Sequence, residues 1–140
     1  MRVFLVVMAW TLGILAVLAL IGFVLWSMYG REFVSAFNTS TEEGARIGST
    51  TNDAVCYEKT VERLKGCESL KCTMEAKVFA SNCFGTVRVR TDLCEGIPKV
   101  FNLIEYAVWQ EETCEKISPD NEHCGKVLQN VAKYCTLKRD

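Results

Sequence analysis

The sequence predicts an all-α protein: a single N-terminal transmembrane helix followed by a disulfide-stapled four-helix ectodomain built as two helical hairpins. Three observations carry this expectation. Val3 to Tyr29 contains no charged residue. All eight cysteines lie behind that run. Three cysteine pairs, Cys56 with Cys67, Cys72 with Cys83 and Cys124 with Cys135, are each eleven residues apart. Eleven residues is close to three helical turns, so both members of a pair fall on one helix face. A cysteine stripe along a helix is what a stapled hairpin needs.

The apolar run is the first element. As a helix, Val3 to Tyr29 is about 40 Å long, more than a hydrocarbon core of roughly 30 Å requires. Trp26 and Tyr29 sit where an interfacial aromatic belt would fall. Arg2 flanks one end; Arg31 and Glu32 flank the other and nearly cancel. The basic count places the N-terminus in the cytosol, and so does the cysteine load, because disulfides persist outside it. The rival reading is a cleaved signal peptide, with Val34-Ser35-Ala36 as a small-residue cleavage pattern. Secretory apolar regions are about 7–15 residues long, and this one is far longer. Within the helix, Ala9, Gly13 and Ala16 share a face that would allow close contact with another helix; Gly and Ala are also common in any membrane helix. Thr11 is expected to satisfy its hydroxyl on its own helix backbone.

The resulting division is a transmembrane signal anchor over 1–31, a flexible linker over 32–52 and a cysteine-rich helical ectodomain over 53–140. The linker expectation rests on FNTSTEEGARIGSTTN, Phe37 to Asn52, which is rich in Ser, Thr and Gly. Asn38-Thr39-Ser40 is the one glycosylation sequon, and its closeness to the apolar run argues against an attached glycan. The ectodomain is small, and cysteine makes up about 9% of it, the range of a disulfide scaffold. No CxxC or CxxH pair is present, so no metal site and no cofactor are expected. Net charge is −1 with both signs mixed along the chain, which points away from nucleic acid.

Asn52 or Asp53 can cap a first ectodomain helix that ends near Gly66, with Tyr57, Val61 and Leu64 as its apolar stripe. Ser69 can cap a second, on which Cys72, Ala76, Phe79 and Cys83 follow i, i+4, i+7, i+11. Only four residues separate Cys67 from Cys72, so the chain turns back tightly. Antiparallel geometry then pairs Cys67 with Cys72 and Cys56 with Cys83. Thr86 to Thr91 alternates and reads as an extended crossover. Pro98 fits the first turn of a third helix to about Lys116, with Ile97, Val100, Phe101, Ile104, Ala107 and Val108 as its core face. Ser118-Pro119 signals a fourth helix, striped by Cys124, Val127, Leu128, Val131 and Cys135. The same nesting pairs Cys114 with Cys124 and Cys94 with Cys135. The twenty-residue gap from Cys94 to Cys114 requires CEGIPK to bend back.

The paired eleven-residue spacings over Cys56 to Cys83 resemble a lengthened form of the twin CX9C hairpins of mitochondrial intermembrane-space proteins, one residue longer in each arm. The pieces C67-ESLK-C72 and C114-EKISPDNEH-C124 are similar to cysteine-rich helical extracellular domains of unknown function from nematodes. That second resemblance implies an ectodomain with no established activity. Plant lipid-transfer proteins also combine eight cysteines with four helices, but their adjacent CC and CxC motifs are absent here.

No enzymatic constellation is visible. His123 is the only histidine, and its neighbour Cys124 is expected to be oxidised. No glycine-rich phosphate loop occurs. The third helix is apolar nearly all round from Val100 to Trp109, and Tyr106 and Trp109 lie opposite Ile104, beside Asn102. Either these aromatics anchor a partner, or the helix is central in the bundle. The functional expectation is a membrane-anchored accessory or binding subunit. Its partners would be the lipid bilayer and a larger membrane-protein complex, at the plasma or secretory-pathway membrane, with the C-terminal domain extracellular or lumenal. The alternatives are a carrier of lipid or another hydrophobic ligand, and a structural subunit of the mitochondrial inner membrane facing the intermembrane space.

Overall fold

The computed structural model describes residues 2–138, apart from the side chains of 2–7, 9, 28–29 and 32–33. Among the described residues there are six α-helices: α1 (Arg2–Leu25), α2 (Arg31–Thr50), α3 (Asp53–Leu64), α4 (Leu70–Thr86), α5 (Leu103–Ile117) and α6 (Cys124–Lys138). A π-helical turn, Trp26–Gly30, lies between α1 and α2, and a 3-10 turn, Asp92–Gly96, lies between α4 and α5. The chain forms two compact units, Met1–Ser35 and Ala36–Asp140.

In the first unit the expectation of a transmembrane helix is corrected. Among the described residues no helix is long and apolar enough to cross a membrane. The uncharged run is not one continuous α-helix: it gives way to the π turn at Trp26. Thr11 Oγ1 donates to the Met8 carbonyl at 2.9 Å, so its hydroxyl is satisfied within its own helix. Of the small-residue face, Gly13 and Ala16 are exposed and nothing stands within 4 Å of a Cβ built on Gly13; the side chain of Ala9 lies outside the described residues. The side chain of the expected belt residue Tyr29 is likewise not described, whereas Trp26 is exposed.

In the second unit the expectation of a flexible linker is corrected as well. Most of 32–52 is helical, as α2. The physical reason is close approach. A Cβ on Gly44 would lie 2.6 Å from the Phe79 carbonyl oxygen, and one on Gly48 would collide with the Cys83 carbonyl and the Thr86 hydroxyl. The two glycines are one turn apart and let α2 press its backbone onto α4. Thr86 Oγ1 donates to the Ala45 carbonyl at 3.2 Å, and the Arg63 guanidinium pairs with Glu43 while covering the Phe79 ring.

Helices α3 and α4 form the first hairpin. The Asn52 side chain accepts from the Val55 N–H at 3.0 Å and Ser69 from the Cys72 N–H at 3.2 Å, so each helix starts on a side-chain cap. Gly66, at φ +71°, makes the left-handed turn between them, a conformation that glycine adopts without strain. Cys56–Cys83 and Cys67–Cys72 staple the far and near ends, with Cα separations of 5.8 and 5.7 Å. Helix α6 packs across α4, burying Val127, Leu128, Val131 and Ala132 against Ala76, Phe79 and Ala80. Cys94–Cys135 and Cys114–Cys124 tie the 3-10 turn and α5 to α6.

The crossover after α4 runs extended and forms one parallel bridge, Val89 to Asn52. Beside it lies the buried Asp53, which accepts from the Thr91 N–H and the Thr91 hydroxyl, both at 2.8 Å, and from the Tyr134 hydroxyl at 3.3 Å. One carboxylate thus joins α3, the crossover and α6. Burial, and next the Asp53 charge, push the Tyr134 phenol up to about 12.

Two helix starts come later than the sequence predicts. Helix α5 begins at Leu103 and not at Pro98: Asn102 closes a separate turn onto the Lys99 carbonyl, and the Val100 N–H donates to Thr136 Oγ1 at 3.0 Å. Helix α6 begins at Cys124 because Ser118 ends α5, its N–H donating to the Cys114 carbonyl at 2.8 Å.

Candidate functional site

None of the residues of helix α5 is fully buried. Its rotation differs from the sequence expectation. Ile104, placed on the core face by apolar spacing, is 79% exposed; Phe101 is 78%, Leu103 73% and Val108 49% exposed. Tyr106 and Trp109 instead pack, half-buried, against the core, together with Cys114 and Ile117. Their rings lie 6.1 Å apart at a tilt of 31°. Burial pushes the Tyr106 phenol upward.

The cause is the Cys114–Cys124 bond, which fixes the side that α5 turns to α6. Tyr106, Gln110 and Ile117 stand at helical spacing from Cys114 and come along with it. Ile104 and Val108 fall on the far side. The phase was therefore set by a cysteine and not by the apolar stripe. Gln110 completes the seam: its side chain fills the space where a Cβ on Gly125 would sit.

The outward side of α5 borders an open cleft of about 450 Å³. Its floor is Ile97, Pro98, Ile104, Val108 and Trp109, and its rim carries Glu95, Glu105 and Glu112. Among the described residues no lysine or arginine lines it. Phe101 and Leu103 extend the apolar surface at the start of the helix. Asn102, which the sequence set beside the aromatics, is exposed and makes no side-chain cap for α5.

Asn38 is exposed on α2. His123 is half-buried, its Nε2 3.8 Å from a Glu122 carboxylate oxygen, and Cys124 beside it is in a disulfide. Among the described residues no three His, Cys, Asp or Glu converge as a metal ligand set. All eight cysteines are bonded in the four pairs Cys56–Cys83, Cys67–Cys72, Cys94–Cys135 and Cys114–Cys124. No family model, no curated protein and no solved structure matches the chain.

Proposed function

We propose that the chain is a binding or accessory protein that works in an oxidising compartment and docks on a larger extracellular or membrane protein through the outer side of α5. The observation that carries this reading is the exposure of Ile104 and Val108 on the outer side of α5, with Phe101 and Leu103 exposed at its start. Single exposed apolar residues are ordinary; a contiguous patch rimmed by polar groups marks an interaction surface. Covering a Phe, Leu or Ile side chain removes roughly 1.5–3 kcal/mol of unfavourable hydration each. The support for the compartment is that every cysteine is paired in a disulfide.

The helix suits this role because its attachment is independent of the exposed side. Disulfide, aromatic pair and Ile117 hold it from within, so the outward side chains contribute little to folding and are free for a partner. A photoreactive residue at Leu103 tests this in cells, with Glu58 on α3 as the reference position. The expected result is one crosslinked species from position 103 that disappears when Ile104→Asp is added, and none from position 58. Equal labelling from both positions would remove the docking reading.

A further inference from the structure

We infer that the occupant of this face is a cationic amphipathic helix of another protein. The inference rests on the docking reading above and deepens it. The cleft couples an apolar floor with a rim of one sign: Glu95 from the 3-10 turn on one side, and Glu105 and Glu112 from α5. The acidity continues along the helix, where Glu111, Glu115 and Glu122 line the neighbouring cleft against Gln110 and Gly125. Helix α5 itself carries four glutamates against one lysine, Lys116. Lys99 is adjacent in sequence but does not line the cleft.

A carboxylate rim with no lysine or arginine among the described residues that line it, around exposed apolar side chains, favours a partner with apolar anchors flanked by lysine or arginine. It repels an acidic partner, and so contributes specificity as well as encounter rate. The partner's shape follows from the spacing. Ile104 and Val108 are one turn apart, so the floor repeats at the interval at which a facing helix repeats its i, i+4 anchors. Extended-strand addition would need a free sheet edge, and among the described residues the only β pairing is the isolated Asn52–Val89 bridge.

The test uses the full-length protein and two synthetic peptides of about 18 residues, long enough for about 27 Å of helix. Both present leucines at i, i+3, i+4 and i+7. One carries lysine at its polar positions and the other carries glutamate there. Binding is read by fluorescence anisotropy of the labelled peptide, with circular dichroism confirming the fold of each variant. We expect the lysine peptide to bind about tenfold or more tightly than the glutamate peptide, as three exposed ion pairs together supply. That preference should shrink as salt is raised and reverse in Glu95→Lys/Glu105→Lys/Glu112→Lys. Should that variant misfold, the salt titration of the unaltered protein decides the point alone. Equal binding of both peptides, lost in Ile104→Asp, would overturn the cationic partner and leave the docking face standing. Binding that ignores Ile104→Asp would overturn both. A dimer in sedimentation equilibrium that Ile104→Asp dissociates would assign the face to a second copy of this chain and overturn the inference.

Discussion

Truncating Trp109 and Ile104 in parallel measures which way α5 faces. Apolar spacing alone makes Ile104 core and Trp109 peripheral; the structure has them reversed, with Trp109 half-buried on the core and Ile104 79% exposed. A fully buried Trp→Ala change costs about 3–5 kcal/mol, so a half-buried one should cost about 2. Ile104→Ala removes few contacts and places a better helix former in an exposed position, so its cost should stay within about 0.5 kcal/mol. Urea unfolding of each disulfide-intact variant, followed by far-ultraviolet circular dichroism, gives the two numbers from the shift in midpoint at constant slope. The prediction is a clear loss for Trp109→Ala and almost none for Ile104→Ala. A larger loss for Ile104→Ala would mean that α5 is rotated the other way, and the proposed docking face would be core.

Three further outcomes follow from the packing. Cys94→Ala/Cys135→Ala should cost about 4 kcal/mol and Cys67→Ala/Cys72→Ala about 2, because the bridges close separations of 41 and 5 residues; equal losses in denaturant titrations would speak against the loop-entropy account. Each of these pairs has one buried and one half-buried cysteine, so the cavity left behind is comparable. Gly48→Ala should destabilise by about 1–3 kcal/mol, seen as a lower melting temperature, since its methyl would meet the Cys83 carbonyl; an unchanged melt would return α2 to a free linker. Tyr134, pushed from its ordinary value of 10.0 to about 12, stays protonated in the folded state after its unfolded counterpart has ionised. Stability from this group is therefore complete below pH ~10 and declines as pH rises towards ~12, with about 1.4 kcal/mol lost by pH ~11. Tyr134→Phe should flatten that decline in melts taken across the range, and a variant with the same alkaline slope would show that another group causes it.

Helical class and the disulfide scaffold were legible because both rest on local periodicity. Eleven-residue cysteine spacing and the caps Asn52 and Ser69 mark α3 and α4 directly. The stripe Cys124, Val127, Leu128, Val131 and Cys135 on α6 is fully buried, as such a clean face requires. What escaped depends on partners distant in sequence. Helix α2 reads as a linker because Ser, Thr and Gly have weak helix propensity. Yet Gly44 and Gly48, at helical spacing, are the contact that docks it, and that spacing was a usable signal. The run from Val100 to Trp109 is apolar nearly all round, so hydrophobicity could not fix the rotation of α5. The phase of Cys114 could have done so, because a disulfide direction outweighs a diffuse apolar preference. The start of α5 was misplaced as well: the segment before it makes a separate turn, and its Val100 N–H donates to Thr136, thirty-six positions away. The transmembrane expectation rested on the count of uncharged residues along Val3 to Tyr29, whereas α1 ends at Leu25 and no helix among the described residues is long and apolar enough to cross a membrane.

The proposed docking requires that Phe101, Leu103 and Ile104 be covered when the protein is at work. Hydroxyl-radical footprinting compares the three side chains in the purified protein and in its native assembly. The account predicts strong oxidation of all three in the purified protein, and protection in the assembly, while exposed Leu70 on α4 reacts equally in both. Oxidation of Phe101, Leu103 and Ile104 to the same extent in the two states would contradict it.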